Sequence, residues 1–348
     1  MTYIIIFIVL LIAELAYFKI ADRCNIIDRP NERSSHSSVV LRGGGIVFCI
    51  GIIIWLCYSL IVGKIDIVLD MLPFISGMIL ISFVSFIDDV RSLSNSIRLA
   101  TQFIAMILLL FNVFSGIVEN FSWIIVLLMM VVSLVICVGA VNIFNFMDGI
   151  NGITAGYSLA VLISLLIINN GVLCIMPNFV DNSFLITVIL SVMVFSIFNF
   201  RNKGKAKCFA GDVGSIGMAF ILLFVIGKLI LSTKDVSWLI FLVVYGIDGC
   251  LTIIHRIMLH ENLGEGHRKH AFQLMANELG VSHVAVSLMY MILQLSINLG
   301  MIYVVRNTCF DHWVYLICVV TVLMIGYVTF MRKYYHLHAD YLKNINKK

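Results

Sequence analysis

Long apolar segments constrain this chain more than any other feature of its sequence. An α-helix needs roughly 20 apolar residues to cross the hydrocarbon core of a bilayer, and eleven segments approach that length. They are residues 2–19, 43–62, 68–87, 98–115, 122–142, 153–169, 183–200, 214–231, 236–255, 284–305 and 313–331. Because 61% of the 348 residues are hydrophobic and only 12% are charged, a soluble fold is excluded. The sequence predicts an all-α integral membrane protein with about 11 transmembrane helices.

The positions of lysine and arginine predict the orientation, because cytoplasmic loops carry an excess of these residues. With the N-terminus outside and the C-terminus cytoplasmic, 19 of the 23 basic residues lie on the cytoplasmic side. The four exceptions are Lys64, Lys228, Lys234 and Arg306. We do not expect the first segment to be a signal peptide, since no basic region precedes it and it carries Glu14. We expect one polytopic membrane domain, residues 1–348, with a basic cytoplasmic tail at 332–348.

Polar residues follow the fifth apolar segment in the stretch VNIFNFMDGINGIT, residues 141–154. Four of them recur at a spacing of three: Asn142, Asn145, Asp148 and Asn151. This spacing aligns side chains along one helical face or one loop edge. Glycines beside Asp148 allow backbone N–H groups to approach a ligand such as a phosphate. Polar groups at membrane depth indicate a functional site, and solvated loop residues between two spans are the simpler alternative.

Further carboxylates lie at or within other apolar segments. Asp88 and Asp89 end the third segment, where the helix dipole and their mutual repulsion disfavour two charges. A divalent cation or an exchanged proton would relieve this repulsion, and a simple helix stop is the alternative. Asp212 begins the eighth segment, where aspartate is also an ordinary N-cap residue. Asp248, within the ninth segment, fits catalysis and a buried salt bridge to a neighbouring helix equally well.

Basic residues accompany these carboxylates in the cytoplasmic loops. Arg33, His36 and Arg42 precede or begin the run RGGG, where donors and a helix N-terminus can meet an anion. The longest cytoplasmic loop carries four consecutive nitrogen donors: His267, Arg268, Lys269 and His270. Such donors suit a pyrophosphate, and histidine can also transfer a proton. For both loops the alternative is a plain basic loop of the cytoplasmic side.

Acids that hold a divalent cation and bases that hold phosphates are what phosphoryl transfer requires. Because these groups gather at the cytoplasmic rim, we expect one soluble and one membrane-borne substrate, and the net charge of +4 does not indicate nucleic acid. An ion-coupled transporter is the alternative, but its sites should lie near the midplane of the bilayer. An intramembrane aspartyl protease is disfavoured, since Ala210-Gly211-Asp212 lacks the first glycine of a G-x-G-D site.

Five ordered motifs resemble those of the polyprenyl-phosphate N-acetylhexosamine-1-phosphate transferase family: RPNERSSH…RGGG, FIDD, NIFNFMDGINGI, FAGDVGS and GHRKHAFQ. The resemblance covers nearly the whole chain. It is closest to the branch that initiates O-antigen and related polysaccharides, whose last motif has the form H-R-x-H. It implies transfer of an N-acetylhexosamine 1-phosphate from a UDP-sugar to undecaprenyl phosphate, with release of UMP, in the bacterial cytoplasmic (inner) membrane. It leaves a homodimer open.

The resemblance also implies roles for the matching residues. Catalysis would involve Asp88, Asp89, Asp148, His267 and His270. Substrates would be bound by Arg33, His36, Arg42, Asn145, Asn151 and Arg268. The metal would be Mg²⁺, or Mn²⁺ in its place, held by Asp212, Asp148 and Asp89. Two features depart from the family pattern: Asn151 stands where an aspartate is common, and Val39 and Leu41 replace prolines ahead of Arg42.

Overall fold

The computed structural model describes residues 1–29, 39–115, 122–171, 178–264, 267–305 and 308–345. The helices are α1 (Thr2–Arg23), α2 (Ile46–Ile61), α3 (Ile65–Asp70), α4 (Leu72–Val90), α5 (Asn95–Phe114), α6 (Trp123–Met147), α7 (Ile153–Asn169), α8 (Asn182–Asn199), α9 (Gly211–Thr233), α10 (Val243–Met258), α11 (Ala271–Asn277), α12 (His283–Tyr303) and α13 (Cys309–Ile345). A 3-10 helix, Val236–Leu242, leads into α10. Strands β1 (Ile27–Asp28) and β2 (Val40–Leu41) pair antiparallel.

Each of the eleven predicted apolar segments coincides with helical structure. In the described part of the chain, nine helices are long and apolar enough to cross a membrane, the 3-10 helix and α10 counting as one. Two shorter apolar helices, α2 and α7, correspond to the other two segments. The all-α class is confirmed, whereas the number of spans and the N-out orientation stay predictions.

Three helices differ in extent from the sequence prediction. α6 continues to Met147, so Asn142 and Asn145 are helical residues. α13 has 37 residues and continues through most of the predicted tail, because no glycine or proline follows Gly326 to interrupt it. The long loop after α10 contains α11, which was not predicted. It begins after His270, and the side chain of Gln273 accepts a hydrogen bond from the His270 backbone N–H at 3.2 Å.

α9 is the central helix of the bundle, and most of its side chains are buried between its neighbours. Phe74 of α4 packs against it, with its ring centroid 4.2 Å from that of Phe224 and 5.4 Å from that of Phe220. By contrast, α6 and α13 expose most of their apolar side chains, as expected of helices that face lipid. The N-terminus of α9 is therefore held at the middle of one end of the bundle.

Glycines allow two helix N-termini to meet at that end. Gly45, just before α2, lies against Gly214 of α9, and a Cβ added to Gly214 would lie 2.6 Å from the Gly45 Cα atom. The backbone N–H of Gly44 donates to the Phe209 carbonyl at 2.8 Å, and that of Gly45 donates to the Ala210 carbonyl at 3.0 Å. These contacts join the RGGG and FAGD motifs, which lie far apart in the sequence, into one unit.

Candidate active site

Asp89, in the last turn of α4, is fully enclosed, and both of its carboxylate oxygens accept hydrogen bonds. Oδ1 accepts from Arg42 Nε at 2.7 Å and from the Asp212 backbone N–H at 2.8 Å. Oδ2 accepts from the Val213 backbone N–H at 3.0 Å. A carboxylate at a helix N-terminus is stabilised by free N–H groups and by the helix dipole. Asp89 thus anchors the N-terminus of α9 and Arg42 to α4, and its oxygens point at these groups.

Asp88 and Asp212 form an acidic pair next to this anchor, and the same arginine, Arg98, contacts both carboxylates. Oδ1 of Asp88 accepts from the Leu93 backbone N–H at 2.5 Å. Arg98 Nη1 lies 3.3 Å from Asp88 Oδ2 and 3.8 Å from Asp212 Oδ2. Arg42 Nη2 lies 3.5 Å from Asp212 Oδ1. Arg98 therefore bridges the pair, Arg42 joins Asp212 to Asp89, and the two arginines offset part of the negative charge.

The loop after α6 directs Asp148 toward the same place. Its Oδ1 accepts from Thr154 Oγ1 at 2.6 Å, and the side chain is half-buried. Burial raises the pKa of Asp148 to about 6, and the Asp89 charge adds to this rise, while the Thr154 hydrogen bond and Arg42 oppose it. The influence of Asp89 and Arg42 indicates that Asp148 lies near the cluster formed by Asp88, Asp89 and Asp212.

The three asparagines of the same stretch make tertiary contacts. Asn142 Nδ2 donates to Gln102 Oε1 on α5 at 2.8 Å. Asn145 Oδ1 accepts from Ser215 Oγ on α9 at 2.8 Å. Asn151 is buried, and its Nδ2 donates to two backbone carbonyls of the hairpin after α8 at 2.9 and 3.2 Å. Asn151 therefore links the loop after α6 to the hairpin after α8. Asn145 lies in the last turn of α6, three residues before Asp148.

Two histidines of the GHRKH motif lie beside the end of α6. The ring centroids of His267 and His270 are 4.9 Å apart, and that of Phe146 is 6.0 Å from His267. Burial, together with His270 and two nearby cationic side chains, lowers the pKa of His267 to about 3 against the opposing effect of Asp248. His267 is therefore neutral at pH 7. It can donate or accept a hydrogen bond there, but it does not add positive charge for a diphosphate.

The sequence left two explanations open for Asp248. In the structure, Asp248 joins α10 to the GHRKH motif and to α12. Its Oδ1 lies 3.2 Å from His270 Nδ1 and accepts from the Ala271 backbone N–H at 3.1 Å. Its Oδ2 accepts from Tyr290 Oη on α12 at 2.6 Å. The structure thus combines a buried contact with a neighbouring helix and a direct contact with a histidine of the motif.

The basic residues between these histidines are paired inside the protein. Arg268 Nη2 lies 2.8 Å from Glu278 Oε1, and its guanidinium group lies 4.2 Å from the ring centroid of Tyr341 on α13. Lys269 Nζ donates to Glu261 Oε1. The side chain of Arg268 is consequently directed at α13, in a contact that the motif did not predict.

Two predicted residues, Arg33 and His36, lie outside the described residues. Arg98, in contrast, was not singled out from the sequence, because a lone arginine near a helix end has no motif of its own. The available signal was its position early in α5, one short loop after the paired aspartates. Arg98 reaches back over that loop to Asp88.

Part of this cluster fits a magnesium ion. Among the described residues, no three His, Cys, Asp or Glu side chains are grouped so that they would hold one metal ion together. Mg²⁺, however, binds through one or two carboxylates and completes its shell with phosphate oxygens and water. The pair of Asp88 and Asp212 supplies such ligands, with Asp148 directed toward it. Asp89, predicted as a ligand, already directs both oxygens at Arg42 and α9.

An apolar groove of about 440 Å³ lies in the membrane part of the bundle, lined by α6, α9, α10 and the 3-10 helix. Ile143 and Phe144 of α6 and Tyr245 of α10 belong to its lining. Phe144 directly precedes Asn145, so the groove extends along α6 to the helical turn that carries Asn145.

The fold and site together define a multi-pass membrane protein with an arginine-bridged acidic cluster at one end of its bundle. Comparison with known proteins supports the family resemblance. The family described as Glycosyl transferase family 4 matches residues 71–230, which include all four aspartates of the site. This match confirms the family resemblance of the motifs over that part of the chain. The O-antigen branch stays a prediction, and the match does not favour the transporter alternative.

A curated relative covers more of the chain. The two proteins are 27% identical over 292 residues, which is 79% of this chain and 76% of the relative. That relative, from Bacillus subtilis (strain 168), is named "Probable undecaprenyl-phosphate N-acetylglucosaminyl 1-phosphate transferase".

Proposed function

We propose that this protein transfers an N-acetylhexosamine 1-phosphate from a UDP-sugar to undecaprenyl phosphate and releases UMP. The observation that carries the proposal is the arginine-bridged pair of Asp88 and Asp212, in a chain whose residues 71–230 match glycosyl transferase family 4. The name of the relative supports the same reaction. The product would initiate O-antigen or another cell-envelope polysaccharide at the bacterial inner membrane.

In this reaction an oxygen of the lipid phosphate forms a bond to the phosphorus that carries the sugar. The bond from that phosphorus to the UMP oxygen breaks, and UMP leaves with the electron pair. Mg²⁺ bound by Asp88 and Asp212 would neutralise phosphate oxygens during this exchange. Asp148, whose pKa is raised to about 6, is ionised at pH 7 yet basic enough to accept a proton from the lipid phosphate.

The bridging arginines suit the phosphates of both substrates. The side chains of Arg42 and Arg98 are 33% and 35% exposed, whereas the carboxylates they contact are almost enclosed. Guanidinium groups bind phosphate oxygens through paired N–H donors. Their exposed edges can therefore engage phosphates while their inner edges stay on the aspartates.

The groove supports a polyprenyl substrate. Its lining is apolar along α6 and α10, as an isoprenoid chain requires, and it includes Phe144, the residue before Asn145. A lipid lying there would bring its phosphate to the polar layer, where Asn145 and Asp148 follow each other by about one helical turn. The soluble UDP-sugar would enter from the cytoplasmic side, near the GHRKH motif.

UMP release tests the proposal directly. Purified protein would receive undecaprenyl phosphate, Mg²⁺ and one of a panel of UDP-N-acetylhexosamines, each with and without EDTA. We expect metal-dependent release with one donor, which would also identify the sugar. Asp212→Asn should abolish release, while Asp66→Asn, an exposed carboxylate on α3, should retain it. Near-normal turnover by Asp212→Asn would overturn the metal assignment, and no release with any donor from folded protein would overturn the reaction.

A further inference from the structure

The cytoplasmic end of α13 contacts the GHRKH motif through a defined face. Tyr335, His338 and Tyr341 recur at a spacing of three, which aligns them on one side of the helix. Tyr335 packs on His255 of α10, with ring centroids 4.5 Å apart. His338 is buried, and Tyr341 contacts Arg268. This face therefore meets both ends of the α10–α11 segment that carries the motif.

Glu278, directly after α11, is the centre of these contacts. Its Oε1 accepts from Arg268 Nη2 at 2.8 Å and from His338 Nδ1 at 3.0 Å. Burial would raise the pKa of Glu278, but the hydrogen bonds and charges of His338 and Arg268 outweigh it and lower the pKa. Glu278 is thus held as a carboxylate between Arg268 of the loop and His338 of α13.

The exposure of these groups shows that the contact is internal. The side chains of Arg268, Glu278 and His338 are 11%, 5% and 2% exposed. An arginine that binds a phosphate needs an accessible edge, as Arg42 and Arg98 have. Breaking a buried pair by removing one partner is costly, so Arg268 would lose a buried ion pair and a stacked ring if it turned toward a substrate.

We propose that Arg268, the arginine of the H-R-x-H motif, is a positioning residue that fixes His267 and His270 to α13 through Glu278, His338 and Tyr341. Arg268 follows His267 and lies two residues before His270, so immobilising its side chain limits the movement of both imidazoles. The role of the long last helix is then to hold the loop at the acidic cluster. This inference rests on the proposed transferase for its activity readout only.

Transferase kinetics of two matched histidine variants test the inference. His338→Ala removes a buried partner of Glu278, whereas His336→Ala changes an exposed histidine two residues away on the same helix. If α13 positions the motif, His338→Ala should lower kcat/KM by about 10-fold, as for other groups that orient a functional residue, and His336→Ala should not. Normal kinetics for His338→Ala would overturn the inference.

A double-variant comparison separates positioning from direct substrate contact. If Arg268 acts through Glu278, the variant carrying both Arg268→Gln and Glu278→Gln should be no worse than the more impaired single variant. If Arg268 binds the diphosphate, its substitution should raise KM for the UDP-sugar far more than Glu278→Gln does, and the two losses should multiply. That second result would overturn the positioning role.

Hydrogen exchange tests the same contacts without any substrate. Backbone amides of residues 267–278 should exchange faster in Glu278→Gln and in His338→Ala than in the parent protein, and their exchange should be unchanged in His336→Ala. This readout holds whether or not the protein proves to be a transferase, so the two proposals fail separately. Unaltered exchange in both variants, with the protein folded, would refute the contact as a restraint.

Discussion

Two adjacent aspartates should respond in opposite ways to the same substitution. Asp89 accepts three hydrogen bonds, from Arg42 Nε and from the N–H groups of Asp212 and Val213, and its side chain is 0% exposed. Asp88 accepts one backbone hydrogen bond and one from Arg98 at 3.3 Å, and the like charge of Asp212 offsets these two contacts. We therefore expect Asp89→Asn to destabilise the protein and Asp88→Asn to leave its stability unchanged or slightly raised.

The magnitude follows from the contacts that an amide cannot replace. An asparagine in place of Asp89 would keep one acceptor oxygen, but its NH₂ group would face either an N–H donor of α9 or the guanidinium group of Arg42. One hydrogen bond involving a charged group is worth about 1.5–3 kcal/mol. The lost interaction of the carboxylate with the N-terminus of α9 adds up to about 1 kcal/mol. The free energy of unfolding should fall by about 3 kcal/mol in Asp89→Asn, the sum of these two contributions.

The assay is unfolding in mixed micelles with increasing SDS, in EDTA so that no divalent cation contributes. Asp66→Asn on α3 serves as the exposed control and should match the parent protein. UMP release is measured on the same protein batches with Mg²⁺ in place of EDTA, where we expect Asp88→Asn to lose activity while it stays folded. Equal stability of Asp89→Asn and the parent protein, or greater destabilisation by Asp88→Asn, would refute the division into an anchor and an open acidic pair.

Three further predictions address other parts of the site. Gly45→Val should disrupt folding because its side chain would overlap the backbone of Gly214, whereas Gly63→Ala, in an open loop, should lower the yield of folded protein less. Size-exclusion chromatography compares the two yields. Transferase activity should fall as pH decreases through about 6, where Asp148 gains its proton, and an acidic limb unchanged by Asp148→Glu would contradict this. Since the folded-state pKa of Asp148 is raised, Asp148→Asn should be more stable relative to the parent at pH 7 than at pH 4, as unfolding titrations at both pH values would show.

Several parts of the site could be predicted from local sequence. Asp88, Asp148 and Asp212 stand where apolar segments begin or end, and a carboxylate there needs a cation or a proton whatever the fold around it. The structure places Asp88 beside Asp212 and directs Asp148 toward them. The grouping of Arg42 with these aspartates was also expected, since arginine and carboxylates were placed on the same side of the membrane.

The division of roles between neighbours could not be predicted. Adjacent helical residues point about 100° apart, so Asp88 and Asp89 had to point in different directions. Only the packing of α9 against α4 decides which of the two contacts the N-terminus of α9. Arg268 shows the same limit, because its partner Tyr341 lies 73 residues away in the chain. The motif identifies the arginine but not the direction of its side chain.

The sequence alone determined the all-α membrane class of this protein and predicted the end of the bundle at which its polar residues gather. Apolar segments of membrane length must form helices, because hydrocarbon offers no partner for free backbone N–H and C=O groups. Tertiary structure alone decided that Asp89 anchors α9, that Asp88 pairs with Asp212, and that Arg268 is held by α13. The physical reason is that each of these three contacts depends on which helices pack together. Its partners are distant in the chain, so local sequence does not specify them.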